Sequence, residues 1–337
     1  MKKIFLTILV VASMVSCSND DVVSIAPRKA ITFGNVFIEN STRAAEFHTK
    51  DNLGEFFVYG TVTGSGNTVN LYKGATVTKT DDVWDCNVTQ YWVPECSYDF
   101  VAISDVTATD PSTTTDGAVV VKTDANGMPK EIIYNASSQK DLLYAKIENP
   151  IETGLDAVPT TGIDDNGNVK FTFNHLLSKV MFTFTNGFGE ETGVELTVKD
   201  IKITNAAKTS TYTCSTGAWT STSFFTGNDT DYLYFGNTSA IAPAASGTND
   251  SNCLLIPETN KEFSISFTIN HNKGGQPTPK IITTNPITLE PGHFYNFTAE
   301  LNVGNVTGVV PITFNINKHE WTNEEDDYEV GPLYPEN

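Results

Sequence analysis

Arginine is nearly absent from this 337-residue chain: there are two, Arg28 and Arg43, and none in all that follows, whereas lysines run from Lys2 to Lys318. An arginine-specific protease therefore has no target beyond Arg43. Long apolar runs are also lacking; the one that opens the chain, Ile4 to Val15, has 12 residues and is too short to span a bilayer. No Cys-x-x-Cys occurs and no histidine stands at metal-ligand spacing from a cysteine, so neither a metal site nor a cofactor is expected. Gly-x-Ser-x-Gly, His-Glu-x-x-His, P-loop and dinucleotide fingerprints are all missing. None of the five histidines has a neighbouring nucleophile or acid in a recognisable motif; His175, His271, His293 and His319 read as structural or exposed, and the chain as no enzyme. Basic charge is scarce, with a net −19 and a pI of about 4.5. Such a surface repels phosphate backbones, which excludes nucleic acid as a partner.

What is present is Thr, Val, Ile, Phe and Tyr in short runs, punctuated by 24 Gly and 15 Pro. That is the profile of a β-rich protein, and a chain of this length suits two domains. AITFGNVFI (30–38) reads as a first strand, followed by the polar linker ENSTRAAEF (39–47). EFFVYGTVT (55–63), YDFVAI (98–103), AVVVK (118–122) and KEIIY (130–134) continue the pattern. In VKFTFNHLLSKVMFTFTN (169–186) apolar residues alternate, which predicts a half-buried pair of strands. NGFGEETG (186–193) holds three glycines in eight residues and marks the expected boundary between an N-terminal sandwich over 44–187 and a C-terminal one over 188–337. The second half adds EFSISFTIN (262–270), HFYNFTAELNV (293–303) and VVPITFNINKHEW (309–321). Strand following strand predicts all-β, antiparallel sandwiches. Asp164-Asp165-Asn166-Gly167-Asn168 has the ingredients of a calcium loop but lacks the twelfth-position Glu, and a hairpin turn on Asn-Gly explains it.

The start of the chain carries the most specific signal. Met1-Lys2-Lys3 is basic, the apolar run follows, and Met14-Val15-Ser16-Cys17 resembles a bacterial lipobox. Residues 1–16 then read as a signal peptide and Cys17 as a diacylated N-terminus anchored in an outer membrane, with Ser18-Asn19-Asp20-Asp21 resembling a surface-export tag. Export permits disulfides among Cys86, Cys96, Cys214 and Cys253: Cys86 with Cys96 across a hairpin and Cys214 with Cys253, or else buried free thiols.

Taken with the lipobox, the strand ITF (31–33), TRA (42–44), DLLYAK (141–146) and above all FNHLLSKVMF (173–182) resemble the fimbrillin family, subunits of bacterial type V pili. The resemblance implies two transthyretin-like β-sandwiches. It also implies a lipoprotein precursor, a trypsin-like arginine-specific protease that cuts beyond the first strand, and polymerisation with other pilin subunits by donor-strand exchange at the cell surface. Residues 17–43 would be the propeptide and Arg43–Ala44 the scissile bond, in a segment free of bulky apolar side chains from Glu39 to Ala45. A sheet that loses its first strand exposes unpaired backbone groups and an apolar furrow until another strand fills it. The segment 309–321, with Ile312, Phe314 and Ile316 on one face, is either such a donor strand or the last strand of its own domain. The expected role is a shaft or tip subunit that supports adhesion. A surface glycan-binding lipoprotein, with exposed Tyr and Trp stacking on sugars, is the rival reading.

Overall fold

Alternating β-branched and aromatic residues with no helical period leave the backbone little choice but the extended region. The computed structural model describes residues 28–38, 48–49, 52–107, 119–157, 159, 161–228, 230–274 and 276–321. The chain opens with β1 (Phe33–Ile38), β2 (Glu55–Gly64), β3 (Asn67–Thr80), β4 (Val83–Cys86) and β5 (Ser97–Ile103). It continues through β6 (Val119–Thr123), β7 (Pro129–Asn135), β8 (Leu143–Lys146), β9 (Ile151–Glu152), β10 (Val169–His175) and β11 (Ser178–Asn186). Then come β12 (Leu196–Thr204), β13 (Ala207–Thr213), β14 (Ala218–Phe224), β15 (Leu233–Tyr234), β16 (Ser246–Thr248) and β17 (Cys253–Leu255). β18 (Ser264–His271), β19 (Thr278–Thr283), β20 (His293–Leu301) and β21 (Asn315–Glu320) complete it.

The first sheet has the order β1-β10-β8-β5-β2-β3-β4, with β9 on β5. Its inner face carries Phe56, Val58, Tyr72, Val77, Phe100, Leu143, Phe171 and Phe173, all buried in one core. The sheet curls around that core until its two end strands, β1 and β4, lie beside each other. In the C-terminal half, β16-β11-β20-β21 (with β17 on β11) and β15-β12-β18-β19 contribute to a second core that includes Phe182, Phe184, Ile203, Phe267 and Phe297. The fold is therefore all-β, as expected. Its ladders are antiparallel except for β1 on β10 and β11 on β20, which are parallel.

Residues 169–186 form two strands, as expected, and the two join different sheets: β10 the first and β11 the C-terminal one, so the chain changes sheets at Leu176–Leu177, before the Gly-rich 186–193 segment. The halves on either side of the expected 187/188 boundary are also bonded to each other. β7, before it, and β13, after it, are hydrogen-bonded from Asn135↔Thr209 to Glu131↔Thr213 in a third sheet, β14-β13-β7-β6. Ile132 and Tyr134 from this sheet share one core with Tyr59 and Ile103 of the first sheet and with Phe182 and Phe267 of the C-terminal half.

The four cysteines Cys86, Cys96, Cys214 and Cys253 are free thiols. The hairpin bridge between Cys86 and Cys96 fails on distance. Cys86 lies opposite Val77, which lies opposite Phe56, whereas a Cβ on Gly64 would sit 2.6 Å from the Cys96 Sγ. Those two places on β2 are roughly 26 Å apart at the usual rise per residue, against a Cα spacing of about 4.4–6.8 Å in a disulfide. The Cys253 thiol instead donates to the Tyr234 carbonyl at 3.1 Å, and burial pushes the Cys214 thiol up to about 12.

Candidate functional site: the first strand and its groove

Residues 30–38 combine apolar alternation with one irregularity. Ile31 and Phe33 point into the core; β1 then bulges between Gly34 and Phe37, after which Ile38 points inward again. The bulge inserts one residue, so the inward parity moves from odd to even positions and Phe37 is left 59% exposed, with the Lys170 ammonium 5.3 Å from its ring centre. Gly34 packs closely: a Cβ there would lie 2.7 Å from the Asn168 amide nitrogen, so a larger residue would displace that side chain. Asn168 in turn accepts a 2.6 Å hydrogen bond from the Thr32 hydroxyl.

Phe33 is the centre of the furrow. Its ring stacks on Phe171 at 5.9 Å and 14° and meets Phe56, Tyr72 and Phe100 edge-on at 6.4, 5.7 and 6.3 Å. The backbone on this side is tied by Ile31 N to Gln90 O (2.8 Å), Trp92 N to Lys29 O (3.0 Å) and Val169 N to Thr32 O (2.8 Å). On its other side β1 faces β4 across a cleft of 530 Å³ lined by Thr32, Gly34 and Val36 of the first strand, by Val83 and Trp84 of β4, and by Lys79. The turn at Asp164 closes one end. Asp164 Oδ1 accepts from the backbone N–H of Asn166 and of Asn168, both at 2.9 Å, and Gly167 takes φ +78°, which is the turn expected there. Those backbone donors, with the Asn168 amide, outweigh what burial Asp164 has and hold its pKa below the usual carboxylate value.

Past the linker the chain is pinned again. The His48 backbone N–H donates to Asp141 Oδ2 at 2.9 Å, and the His48 ring Nε2 meets Asp105 Oδ2 at 2.6 Å. Lys140 Nζ donates to the other Asp105 oxygen at 2.9 Å. Burial alone would lower the His48 pKa, but the hydrogen bond to Asp105 and the Asp141 and Asp105 charges overcome it and raise it. Burial likewise opposes the Asp105 charge, and the bonds from His48 and Lys140 prevail and lower its pKa. Asp141 Oδ1 pairs with buried His175 Nδ1 at 2.9 Å, and the His175 ring stacks on Trp321 at 4.0 Å. His175 is thus structural, as expected, although nothing in its sequence neighbourhood points to Asp141. No cluster of three or more metal-ligating side chains occurs among the described residues.

Of the site residues read from sequence, Cys17, Arg43 and Ala44 lie outside the described residues, as do residues 1–16 and the linker 39–47. Arg28 is described and exposed, ahead of β1. Within the single chain the segment 309–321 packs on the C-terminal half: β21 pairs antiparallel with β20, Phe314 packs on Phe182 and Phe297 at 5.6 and 6.3 Å, and Trp321 is fully buried.

A solved structure shares this fold. A fimbrial protein from Bacteroides vulgatus aligns with a TM-score of 0.60 at 16% identity, covering 86% of this chain and 99% of its own. A candidate cell adhesion protein from Bacteroides ovatus aligns with a TM-score of 0.47 at 18% identity over 89% of this chain and 100% of its own. Comparison with curated proteins finds no match. A model of the fimbrillin-like family, a family of structural fimbrial proteins rather than of enzymes, matches residues 42–319, most of the chain. The chain belongs to the fimbrillin-like family.

Proposed function

We propose that this protein is a shaft or tip subunit of a surface fimbria that is made as a lipoprotein anchored through Cys17, cleaved after Arg43 and polymerised by donor-strand exchange with other pilin subunits. The observation that carries this reading is the placement of β1. It is an edge strand whose ladder, among the described residues, is with β10 alone, yet Ile31, just ahead of it, and Phe33 and Ile38 within it are buried in the N-terminal core. Burying such side chains is worth about 1.5–3 kcal/mol each, roughly 5–9 kcal/mol for the three. Set against a typical net stability of about 5–15 kcal/mol, their loss leaves a domain that needs a replacement strand. Cleavage at Arg28 would free the lipid but leave β1 in place; cleavage at Arg43 releases both. The rest of the chain then offers an arginine-specific protease nothing further to cut.

The test is an Arg43→Ala precursor expressed beside the parent and treated with an arginine-specific protease. The parent is expected to yield a chain beginning at Ala44 and oligomer ladders. The variant should be cut only at Arg28 and stay monomeric; filaments from the variant would defeat the proposal.

A further inference from the structure

We infer that the outer face of the sheet β15-β12-β18-β19 is a surface through which this subunit adheres, and that its ligand is a glycan in which carboxylate-bearing sugars are spaced among neutral ones. The inference rests on the reading of the chain as an adhesive surface subunit, and strand exchange does not enter it. Ile203, Ile265 and Phe267 turn one side of the sheet into the core, so the residues that alternate with them turn outward. In one rank across the strands Tyr234 stands opposite Lys202, Lys202 opposite Ser266, and Ser266 opposite Ile281. On one side of that rank Thr204, Ser264 and Thr283 form another, and on the other side Lys199 stands opposite Thr268. All of these side chains are half-buried or exposed, up to 77% for Ile281.

Charge sets this face apart. The chain holds 40 acidic residues against 21 basic ones, yet among the outward residues of these four strands the one carboxylate is Asp200. Lys199 and Lys202 are three residues apart, a spacing that puts side chains on opposite faces of a regular strand. The bulge between them, with Asp200 at φ +55°, inserts one residue and turns both lysines outward. Neither has an ion pair among the described residues. The Lys202 ammonium lies 4.3 Å from the Tyr232 ring centre, and Tyr232 meets Tyr234 edge-on at 6.4 Å. A cation and two phenol rings therefore share one side of the platform, with Tyr234 45% exposed.

The chemistry of the centre selects the occupant. Thr204, Ser264, Ser266 and Thr268 make it a field of hydroxyls. Protein partners dock on a centre that is apolar, where Ser is depleted and Ser and Thr seldom anchor binding. A field of hydroxyls suits a ligand that is itself a row of hydroxyls, exchanging hydrogen bonds directly or through water. The rings of Tyr232 and Tyr234 offer flat apolar surface to the C–H face of a sugar, and a sugar carboxylate answers Lys202 or Lys199 with a charge-assisted bond. Charge density narrows the class further. Two ammoniums beside Asp200, on a chain of net charge −19, attract isolated carboxylates, whereas a densely sulfated chain is repelled by the surrounding surface.

Calorimetric titration of the uncleaved chain tests this. The probes are a hyaluronan oligosaccharide, in which acidic and neutral sugars alternate, the same oligosaccharide with its carboxylates methyl-esterified, and heparin as a densely sulfated chain. The parent is expected to bind hyaluronan more tightly than either of the others. Lys199→Gln, Lys202→Gln and Tyr234→Ala should each weaken that binding about tenfold, while Lys73→Gln, at an exposed lysine of β3, should leave it unchanged. Lys199 is itself exposed, so its variant reports on binding with the fold intact, which an unchanged denaturation midpoint checks. Absence of hyaluronan binding, equal binding of the ester or tighter binding of heparin would overturn the ligand class. Parental affinity in the Lys199, Lys202 and Tyr234 variants would overturn the site. A dimer of the parent, seen by sedimentation and lost in those variants, would give the face to a second copy instead. No step needs cleavage, so cleaved protein that fails to assemble would sink strand exchange and leave the glycan result standing.

Discussion

Each oxygen of the Asp141 carboxylate holds a different part of the chain. Oδ2 fixes the backbone of His48, just past the linker that follows β1, and Oδ1 fixes His175 at the end of β10, on which Trp321 stacks. The His175–Asp141 pair is almost fully buried, with side-chain exposures of 0% and 3%, so removing one partner leaves the other polar and dry. Asp141→Ala is expected to lower unfolding stability by about 3–5 kcal/mol, read by chemical denaturation; a loss within experimental error would mean the pair is not formed. His48 and Asp105 form a more exposed pair with a pH signature. The raised His48 pKa gives stability that is complete below its unfolded value near 6.5 and fades as pH rises through the folded one. The lowered Asp105 pKa gives stability present above its unfolded value and lost as pH falls through the folded one. The precursor should therefore lose stability between slightly acid and mildly alkaline pH, and His48→Gln should flatten that slope. An unchanged slope in the variant would place the titrating group elsewhere.

At the scale of the element, β1 is the strand whose value would differ between precursor and product on the proposed pathway. Phe33→Ala opens a cavity among Phe171, Phe56, Tyr72 and Phe100 and is expected to destabilise the precursor by about 3–5 kcal/mol. The assembled, cleaved protein has lost β1 on the proposed pathway, so its denaturation midpoint should match the parent's; an equal loss there would show that β1 stays. This strand was legible in the sequence because Ile31 and Phe33 alternate with polar neighbours and a polar linker follows. The turn at Asp164 was legible for a related reason: its carboxylate accepts the N–H two and four residues on, with Gly167 at positive φ, which is local chemistry. Pairing was not legible. β10 and β11 carry the same alternation whether they bond to each other or to different sheets, and nothing in periodicity distinguishes the two. The union of β7 with β13 and the meeting of His48 with Asp105 are likewise long-range facts, decided by how faces pack. The choice between bridged and free cysteines was not legible either, since closeness along the chain does not say how far apart their strands end.

At the scale of the molecule, the third sheet makes the two halves mechanically one. β6 and β7 come from the first half, β13 and β14 from the second, and their ladder with a shared core leaves no hinge there for an inserted strand to bend. Charge acts against bringing such bodies together. Residues 1–43 hold five basic side chains and three acidic ones, so cleavage after Arg43 takes the net charge from −19 to −21. Two cleaved subunits repel over a range set by the Debye length, about 30 Å at 0.01 M salt and about 10 Å at 0.1 M. Assembly of purified cleaved subunits, followed by light scattering, is therefore expected to run faster at about 0.1 M sodium chloride than at about 0.01 M. The gain should come from the encounter rate, with little change in the stability of finished polymer, because the inserted strand is held by main-chain bonds and buried side chains that salt hardly screens. Slower assembly on adding salt would mean that attraction between acidic side chains of one subunit and lysines of another outweighs the repulsion of the whole.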